Sequence, residues 1–502
     1  MKNMKKAFVI FLTIFGLTAV SCGDGTENPV DSNQNATANQ SDNGEFEHMP
    51  EAHAEKIMPD IPDNADFNGY EFKILANGAD MGHWASRDIY VESETGDTID
   101  DAVYYRNRAI EEKYNIKIKG VFSNNGSQSA DARKSIASSD DAYDVFTIPI
   151  MTHTTQLALD GMLLDLKNVP YIDLEKPWWD QKANAQLSIG NRLFFTIGDL
   201  LVIDKDALSV FLFNKDVIEA NALDDPYKLV REGKWTADKM WDMARGIAKD
   251  LNGDGSMDED DCYGIMSQTH TIHGNIVGSG HLFFTKDGDD MPVLNATEPM
   301  IQAAYEKWIN MLNDRTNTMV AQDYYAKYGG DIWDKQLQIL EEKRSLFLYT
   351  FMNRVTMLRS SECNFGILPN PKYDEAQGEY YNAVHVGLTT GVSVPITSEP
   401  ERTGMILEAL TAESYYSLKP AYYDISLQGK LLRDDESSEM LDLIFATRCY
   451  DLGYVYMWGE LIWKIEELAE KKSIAFVSEL EKLLPRTEEE MQKTIEVFSA
   501  LK

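Results

Sequence analysis

The stretch YDVFTIPI, residues 143–150, decides the fold class that the sequence predicts. It is a nearly continuous apolar run, and it lacks the strict alternation of a strand with one face in water. Runs of this kind are typical of parallel strands that are covered by helices on both faces. We therefore predict a buried parallel strand at these residues.

The segments before this run alternate between strand and helix patterns. YEFKILAN at 70–77 and IKIKGVF at 116–122 indicate strands, and apolar spacing predicts a helix at about 100–114, with Val103 and Ile110 on one face. Strands that alternate with helices favour an α/β sheet with helices on both sides. The body of the chain is therefore predicted to be α/β.

The N-terminus, residues 1–22, has the layout of an export signal. Three lysines precede an uncharged run at 7–21, which is too short to span a bilayer as a stable helix. LTAVSC resembles a bacterial lipoprotein box, which implies cleavage before Cys22, lipidation of its thiol with acyl chains such as palmitate, and a membrane anchor. The alternative is an ordinary signal peptide with an incidental cysteine. Both place the mature protein outside the cytoplasm.

Composition limits the partners of the chain. Residues 23–66 are polar and acidic, and they predict a disordered acidic tether. The whole chain has 47 basic and 82 acidic residues, a net charge of -35, which argues against nucleic acid and anionic membrane surfaces as partners. Besides Cys22 there are Cys262, Cys363 and Cys449, so no disulfide framework is predicted, and buried free thiols are expected.

The stretch DLNGDGSMDEDD, residues 250–261, has the spacing of an EF-hand-type calcium loop, with Gly255 at the sharp turn. The predicted ligands are Asp250, Asn252, Asp254, Ser256 through its carbonyl, and Asp261, with Asp258 at the ninth position. A strand at 262–268 follows, and no second helix, so we predict a structural Ca²⁺ site rather than a sensor. The alternative is a solvated acidic turn.

From about Phe67 the order of segments resembles the extracellular solute-binding lipoproteins of ABC transporters, in the large maltose-binding-protein-like class that serves carbohydrates. The stretches that carry the resemblance are YDVFTIP (143–149), DGMLLDL (160–166), KPWWD (176–180), RLFFTIGD (192–199), FLFNKDVIE (211–219), the helix and acidic loop at 234–264, FGILPNPK (365–372) and the segment 429–459. Each stretch is short, and their order together with the lipoprotein box forms the signal.

The resemblance implies an α/β, two-lobe periplasmic-binding-protein-like fold of the class II type, with crossing hinge strands and a helical C-terminal part. The first lobe is expected to comprise 67–198 and 370–416, and the second 199–369 and 417–502. Solute is expected in the cleft between the lobes, which close around it by a hinge motion.

A sugar site needs aromatic platforms and polar side chains that bind hydroxyl groups. Residues of these types that follow predicted strands, or that the resemblance places at the cleft, are Trp84, Thr152, His153, Asp199, Asp206, Gln268, His270, Tyr349, Phe351 and Trp458. Any single aromatic residue in this set is more often part of a core than a ligand platform.

The resemblance implies a monomeric carrier, and not an enzyme, that captures a carbohydrate and delivers it to the permease subunits of an ABC importer. An oligosaccharide is preferred over a monosaccharide, because the chain is large and rich in aromatic residues. The alternatives are a secreted carbohydrate-active enzyme, which needs two suitably spaced carboxylates, a carrier of peptides or another solute, and a calcium-dependent surface lipoprotein. The sequence names neither the solute nor the permease.

Overall fold

The structure is a computed structural model that describes residues 56–358, 361–428 and 435–501. Cys22, the signal peptide and the tether up to residue 55 lie outside the described residues, so the predictions made for them stay predictions. Within the described ranges, no helix is both long enough and apolar enough to cross a membrane.

The described strands are β1 (Tyr70–Asn77), β2 (Ile116–Ser123), β3 (Val145–Pro149), β4 (Ser209–Asn214), β5 (Tyr263–Ser267), β6 (Phe284–Lys286), β7 (Pro292–Leu294), β8 (Thr318–Val320), β9 (Ser345–Phe351), β10 (Phe365–Leu368), β11 (Asn382–Ala383), β12 (Thr390–Ser393) and β13 (Arg448–Cys449).

The described α-helices are α1 (Thr98–Tyr114), α2 (Gln128–Ser138), α3 (Thr155–Leu159), α4 (Gln181–Leu187), α5 (Ile203–Asp206), α6 (Lys215–Ala220), α7 (Pro226–Arg231), α8 (Ala237–Ala244), α9 (Ile272–Gly278), α10 (Pro299–Asn313), α11 (Tyr325–Tyr328), α12 (Ile332–Glu341), α13 (Met352–Met357), α14 (Pro400–Tyr416), α15 (Leu418–Gln428), α16 (Asp435–Ala446), α17 (Leu452–Tyr456), α18 (Leu461–Glu470) and α19 (Phe476–Ala500). Short helical turns at Ala79–Trp84, Ile150–Thr154 and Thr269–Thr271 follow β1, β3 and β5.

The first sheet has the strand order β12-β3-β1-β2. β1 pairs in parallel with β2 and β3, and β12 joins the edge antiparallel to β3. All four strands come from the ranges that the sequence assigns to the first lobe.

Helices cover both faces of this sheet. Strand β3 is buried along its whole length, as its apolar run predicts. Phe146 and Ile148 enter one hydrophobic cluster, whereas Val145 enters the cluster on the opposite face. β1 alternates in the same way, with Leu75 on one face and Ile74 on the other. This arrangement confirms the α/β prediction.

The second sheet has the strand order β10-β4-β9-β5-β8. β5 is parallel to β8 and β9, and β4 is antiparallel to both of its neighbours. Every residue of β4 and β5 is buried. These five strands come from the range 199–369, which the sequence assigns to the second lobe.

The chain crosses between the sheets beside two isolated bridges. Thr196 and Val392 exchange backbone hydrogen bonds of 3.1 and 2.8 Å next to the first sheet. Leu208 bridges Val384 next to the second sheet. The apolar run at 192–203, for which the sequence suggests a strand, is this crossing, and it therefore pairs only locally.

A hairpin of β6 and β7 reaches from the second-lobe range to the loop 188–192 in the first-lobe range. Asp290, at its turn, accepts hydrogen bonds from Ser188 Oγ at 3.0 Å and from the Asn191 backbone N–H at 2.8 Å. Lys286 pairs with Asp290 and donates to the Ser188 carbonyl at 2.9 Å. We call this set of contacts the hairpin clasp.

The C-terminal helix α19 is 25 residues long and contacts both ranges. Near its start, Phe476 stacks on Tyr305 of α10, with 4.4 Å between the ring centroids. Near its end, Phe498 meets Phe194 edge-on at 4.6 Å. The helix therefore links the second-lobe body to the first-lobe segment that precedes the crossing.

Residues 56–66, which the composition assigns to the tether, lie against α1 and α14. The Ile57 N–H donates to the Tyr416 hydroxyl at 2.7 Å, and the Lys56 ammonium lies 4.9 Å from the centre of the same ring. Ile61 packs against the hydrophobic cluster on the outer face of the first sheet. Contact with the folded body therefore orders the end of this segment.

The apolar spacing of residues 235–250 predicts an amphipathic helix with Thr236 as its N-cap, and helix α8 is shorter than this prediction. Thr236 is its N-cap, as expected, and its hydroxyl accepts from the Lys239 N–H at 3.2 Å. The sequence pattern continues to Asp250, but the helix ends at Ala244. The reason is that Lys249 forms an antiparallel bridge with Cys262 at the entrance to β5, which requires extended backbone.

Candidate functional site

A first pocket, the hinge pocket, lies where the chain crosses between the lobes, and Trp178, Asp199, Asp204, Lys205 and Arg448 are among its lining residues. The Lys205 ammonium lies 3.6 Å from the Asp199 carboxylate and 3.4 Å from that of Asp204. Burial raises the pKa of Asp204 to about 6, although Lys205 opposes this shift. Asp199, a predicted site residue, is therefore held in buried ion pairs at the hinge.

Beneath the hinge pocket, Glu408 is fully buried between two indoles. Trp178 and Trp179 each donate Nε1–H to one of its carboxylate oxygens at 2.9 Å. Burial raises the pKa of Glu408 to about 7, while the two hydrogen bonds lower it. Both tryptophans pack in the hydrophobic cluster on one face of the first sheet.

Asp206, another predicted site residue, is buried in α5. Its carboxylate accepts a hydrogen bond from the Tyr422 hydroxyl at 2.9 Å and lies 3.8 Å from the Arg87 guanidinium. Burial raises the pKa of Asp206 to about 6, against the opposing charge of Arg87. Asp206 therefore connects α5 to α15 across the hinge region.

Three predicted residues lie on loops that follow strands of the first sheet. Trp84 follows β1, is half-buried, and accepts a hydrogen bond from Asn77 Nδ2 at its carbonyl at 3.2 Å. Thr152 and His153 follow β3, and Thr152 has a positive φ of 63°. The His153 Nδ1 lies 3.2 Å from the Ser129 hydroxyl, and burial lowers its pKa. These loops stand at the carboxyl edge of the parallel strands, where α/β sheets place their ligands.

The second pocket, which we call the histidine pocket, lies at the carboxyl ends of β5 and β9. It encloses about 230 Å³, including space open to solvent, and it is narrow. Its polar and aromatic lining consists of His270, His273, Tyr349, Phe351, His385 and Tyr454. The structure thus brings three predicted residues, His270, Tyr349 and Phe351, together with three that the sequence did not indicate.

Aromatic contacts fix the side chains of this pocket. A His385 ring nitrogen lies 2.8 Å from the Tyr454 hydroxyl, and the Phe351 ring meets His385 edge-on at 5.3 Å. The His273 ring packs between Phe283 at 5.7 Å and Tyr454 at 4.7 Å. Burial lowers the pKa of His385 to about 3, so its ring is neutral at physiological pH.

A wider groove, the aromatic groove, adjoins the histidine pocket, and His270 lines both. It holds about 820 Å³, including open solvent, and its other lining residues are Thr269, Gln322, Asp323, Tyr325, Trp333 and Glu470. The Trp333 Nε1–H donates to Gln268 Oε1 at 2.8 Å, and the Tyr325 ring meets Trp333 edge-on at 5.8 Å. Gln268, a predicted site residue, thus orients an indole that the sequence did not indicate as part of the site.

Trp458, the last predicted platform, packs in the hydrophobic core and is 2% exposed. Its Nε1–H donates to Thr494 of α19 at 2.9 Å. Its ring stacks on Tyr456 at 5.2 Å and contacts Phe284 at 5.0 Å. In this structure the Trp458 ring therefore lies inside the C-terminal part of the protein, where it packs against α19 and β6.

The acidic loop at 250–261 is closed by its own side chains. The Asp250 carboxylate accepts the backbone N–H groups of Gly253 and Gly255 at 2.6 and 2.9 Å, and Gly255 has the positive φ of 85° that the turn requires. Asp261 is fully buried and accepts from the backbone N–H groups of Leu251 and Asp258, both at 2.8 Å.

The remaining predicted ligands of the loop continue this pattern. Asn252 accepts from the Asp254 N–H at 2.9 Å, and Asp254 accepts from the Ser256 N–H at 2.8 Å. Across the described ranges, no three His, Cys, Asp or Glu side chains are grouped closely enough to hold a metal ion. In this arrangement the side-chain oxygens of the loop therefore accept hydrogen bonds from backbone N–H groups of the same loop.

The site residues that the sequence did not indicate were missed for one reason. His385 lies in the hinge segment, and Tyr454 lies 69 residues further along the chain, although their side chains are in contact. Trp333 stands in the first turn of α12, where the apolar pattern indicates only a core residue. Such contacts depend on tertiary structure and leave no local signal.

Comparison with known proteins shows the fold. No protein-family model matches the chain, and no curated protein matches it. Among solved structures, an ABC substrate-binding protein from Listeria monocytogenes in complex with cycloalternan is similar, with a TM-score of 0.53 and 13% identity, over 85% of this chain and 99% of that one.

Two further structures are similar. UspC of M. tuberculosis has a TM-score of 0.54 and 13% identity, over 84% of this chain and all of that one. A sugar transporter protein from Rhizobium etli in an open conformation has a TM-score of 0.53 and 14% identity, over 86% of this chain and all of that one. These likenesses confirm the predicted two-lobe fold, because they extend over 84–86% of this chain and 99–100% of the other chains.

Proposed function

We propose that this protein is the substrate-binding lipoprotein of an ABC importer. It captures a carbohydrate, preferably an oligosaccharide, in the cleft between its lobes and delivers it to the permease subunits as a monomer, without covalent chemistry. The carbohydrate class is supported by the Listeria relative of the same fold, whose structure holds cycloalternan.

One observation carries the proposal: the histidine pocket and the aromatic groove meet at the carboxyl edge of the second sheet. Phe351 and Trp333 offer apolar ring faces there, and hydroxyl, imidazole and amide groups surround them. Aromatic faces pack on the C–H face of a sugar, while its hydroxyl rim needs polar partners.

Capture requires motion of the lobes. The histidine pocket is narrow, so the cleft opens to admit a sugar and closes around it. The hairpin clasp and the end of α19 are contacts between the two ranges that form or tighten on closure. Binding energy from the sugar stabilises the closed form, which is the form that a permease can distinguish from the empty protein.

The test is a thermal-shift screen of the purified full chain against neutral mono- and oligosaccharides and short peptides. A saturable rise in melting temperature with one class of saccharide, with stoichiometric binding and no products by chromatography, supports the carrier. Product formation would instead indicate a carbohydrate-active enzyme. Binding of peptides alone would refute the carbohydrate assignment.

The proposal includes a lipid anchor at Cys22, which is supported by the LTAVSC box and by the polar composition of 23–55. Lipidation would hold the protein at the outer face of the cell membrane. Mass spectrometry of the mature N-terminus checks it: an acylated Cys22 is expected, and a mature chain without acyl modification would refute the anchor.

We also propose that the loop at 250–261 binds Ca²⁺ as a structural ion. The spacing of Asp250, Asn252 and Asp254 and the turn at Gly255 support it. Arg344 donates to the carbonyls of Glu259 and Asp261 at 2.8 and 2.9 Å, so the loop is tied to the entrance of β9. The carboxylates would exchange their amide contacts for the ion, and titration by calorimetry measures whether they do.

A further inference from the structure

We propose that the histidine pocket receives one uncharged sugar ring and rejects rings that carry a carboxylate, so that the substrate is a neutral glycan. This inference rests on the proposed function and narrows it. The argument uses the hydrogen-bonding state and the charge of the side chains that face the pocket.

His273 supplies the first step. It is 3% exposed, and its Nε2 has no hydrogen-bond partner in the described chain. The nearest carboxylate oxygen, on Asp451, lies at 3.9 Å and already accepts the Phe283 N–H at 2.7 Å. A buried polar atom without a partner costs stability, and a ligand hydroxyl that reaches Nε2 would remove that cost. This atom is therefore poised for a ligand.

Three other polar side chains of the pocket, those of His385, Tyr349 and Tyr454, are uncharged. The His385 imidazole is buried and neutral, and it pairs with the Tyr454 hydroxyl at 2.8 Å. Burial raises the pKa of both Tyr349 and Tyr454, so both phenols keep their protons. Neutral imidazoles and phenols can both donate and accept, which matches sugar hydroxyl groups.

The charges around the pocket do not favour an anion. The His270 Nδ1 lies 3.1 Å from a Glu466 oxygen, which raises the pKa of His270 and balances any proton on it. The other near carboxylate is Asp451, beside His273. No Lys or Arg is among the residues that line this pocket in the described chain. A sugar carboxylate would be desolvated there without a counter-ion, beside two like charges.

Two residues, Gly274 and Phe351, shape the base and the apolar side of the pocket, which is narrow in this structure and would have to widen to admit a ring. The Tyr349 hydroxyl lies so close to Gly274 that a Cβ there would meet it at 2.3 Å. The absence of a side chain at Gly274 thus lets α9 pack close to Tyr349 and leaves the Tyr349 phenol at the base of the pocket. Phe351, at the end of β9, is only partly buried and provides the apolar face. The next sugar units would continue into the aromatic groove past His270.

The first experiment compares matched ligands by calorimetry on the full chain: neutral trisaccharides, such as galactotriose and xylotriose, against trigalacturonate. We expect a neutral member to bind at least about 100-fold tighter than the acid. Equal or tighter binding of the acid overturns this inference and leaves the carrier function intact. If no saccharide of either kind binds, the proposed function fails, and the inference fails with it.

The second experiment tests the His273 contact. His273→Phe keeps an aromatic ring in the packing and removes the orphan nitrogen, so melting temperature is expected to stay or rise while sugar affinity falls at least tenfold. His281→Phe, a half-buried histidine outside the pocket, is the matched control. Unchanged affinity of the folded His273→Phe variant overturns the role of this atom.

Discussion

Replacing Asp290 with alanine should separate ligand affinity from folding stability. The change removes two hydrogen bonds, from Ser188 Oγ at 3.0 Å and from the Asn191 N–H at 2.8 Å, and the ion pair with Lys286. Hydrogen bonds to a charged group contribute about 1.5–3 kcal/mol when buried. The Asp290 side chain is 25% exposed, so we take about 1.5–2 kcal/mol for the whole clasp after solvent screening.

Because the hairpin clasp forms or tightens on closure, this loss shifts the lobes toward the open form and raises the Kd of the bound sugar by up to about 10- to 30-fold. Calorimetry measures the Kd, and small-angle X-ray scattering without sugar should give a larger radius of gyration than for the unmodified chain. Asp289→Ala, which removes the neighbouring exposed carboxylate, is the control for charge. The reasoning is refuted if Asp290→Ala lowers the melting temperature but matches Asp289→Ala in Kd and radius.

Four further predictions follow from the contacts described. Burial raises the pKa of Glu408 from 4.5 to about 7, so the folded state binds more protons than the unfolded state between these pH values. The free energy of unfolding should therefore fall by up to about 3 kcal/mol as pH rises through this window. Urea unfolding from pH 4.5 to 8 measures this fall, and Glu408→Gln should show a flatter profile. Calcium at 100 times its Kd should stabilise the protein by about 2.7 kcal/mol, and Asp250→Ala should abolish the difference between melting with Ca²⁺ and with EDTA; an equal difference in the variant would exclude the loop. Gly274→Ala places a methyl group 2.3 Å from the Tyr349 hydroxyl and should cost about 1–3 kcal/mol, whereas Gly288→Ala, which meets no atom within 4 Å, should be close to neutral in the same unfolding assay. Trp333→Ala should weaken sugar binding about tenfold or more with little change in the binding of Ca²⁺, and equal affinity would remove the aromatic groove from the site.

The α/β class could be predicted because its determinants are local, whereas the two-lobe arrangement was implied by the resemblance to a known family. The buried run at β3 and the alternation of strands with helices before it require two covered faces, whichever residues cover them. β1 begins and ends where the pattern predicts, at Tyr70 and Asn77. The prediction for helix α8 extended too far toward Asp250. The bridge between Lys249 and Cys262 requires extended backbone there, and it joins residues 13 apart, so the helical period does not detect it.

The candidate site was only partly accessible to the same reasoning. His270 follows a predicted strand, so the rule that ligands bind at carboxyl edges selects it. Tyr349 and Phe351 were implied by the resemblance to solute-binding proteins. His385 and Tyr454 reach the same pocket from the hinge and from the helical C-terminal part, and no local pattern connects them. For Asp199 and Asp206, the sequence indicated polar residues near the crossing, but it could not indicate that burial and ion pairs would engage them.

The helix α19 has a consequence for measurement. At about 1.5 Å per residue its 25 residues form a rod of about 37 Å, with its first turn seated beside Tyr305 and its last turn beside Phe194. A rigid helix that packs on both lobes cannot keep both contacts when the lobes move apart. We therefore expect its C-terminal end to slide along Phe194 or to separate from it when the cleft opens. A fluorophore attached near the C-terminus would therefore turn a small rotation at the hinge into a large displacement and act as a built-in biosensor of occupancy. A bulky fusion partner at the same end would bias that sensor, and an affinity measured with such a tag would differ from that of the free chain.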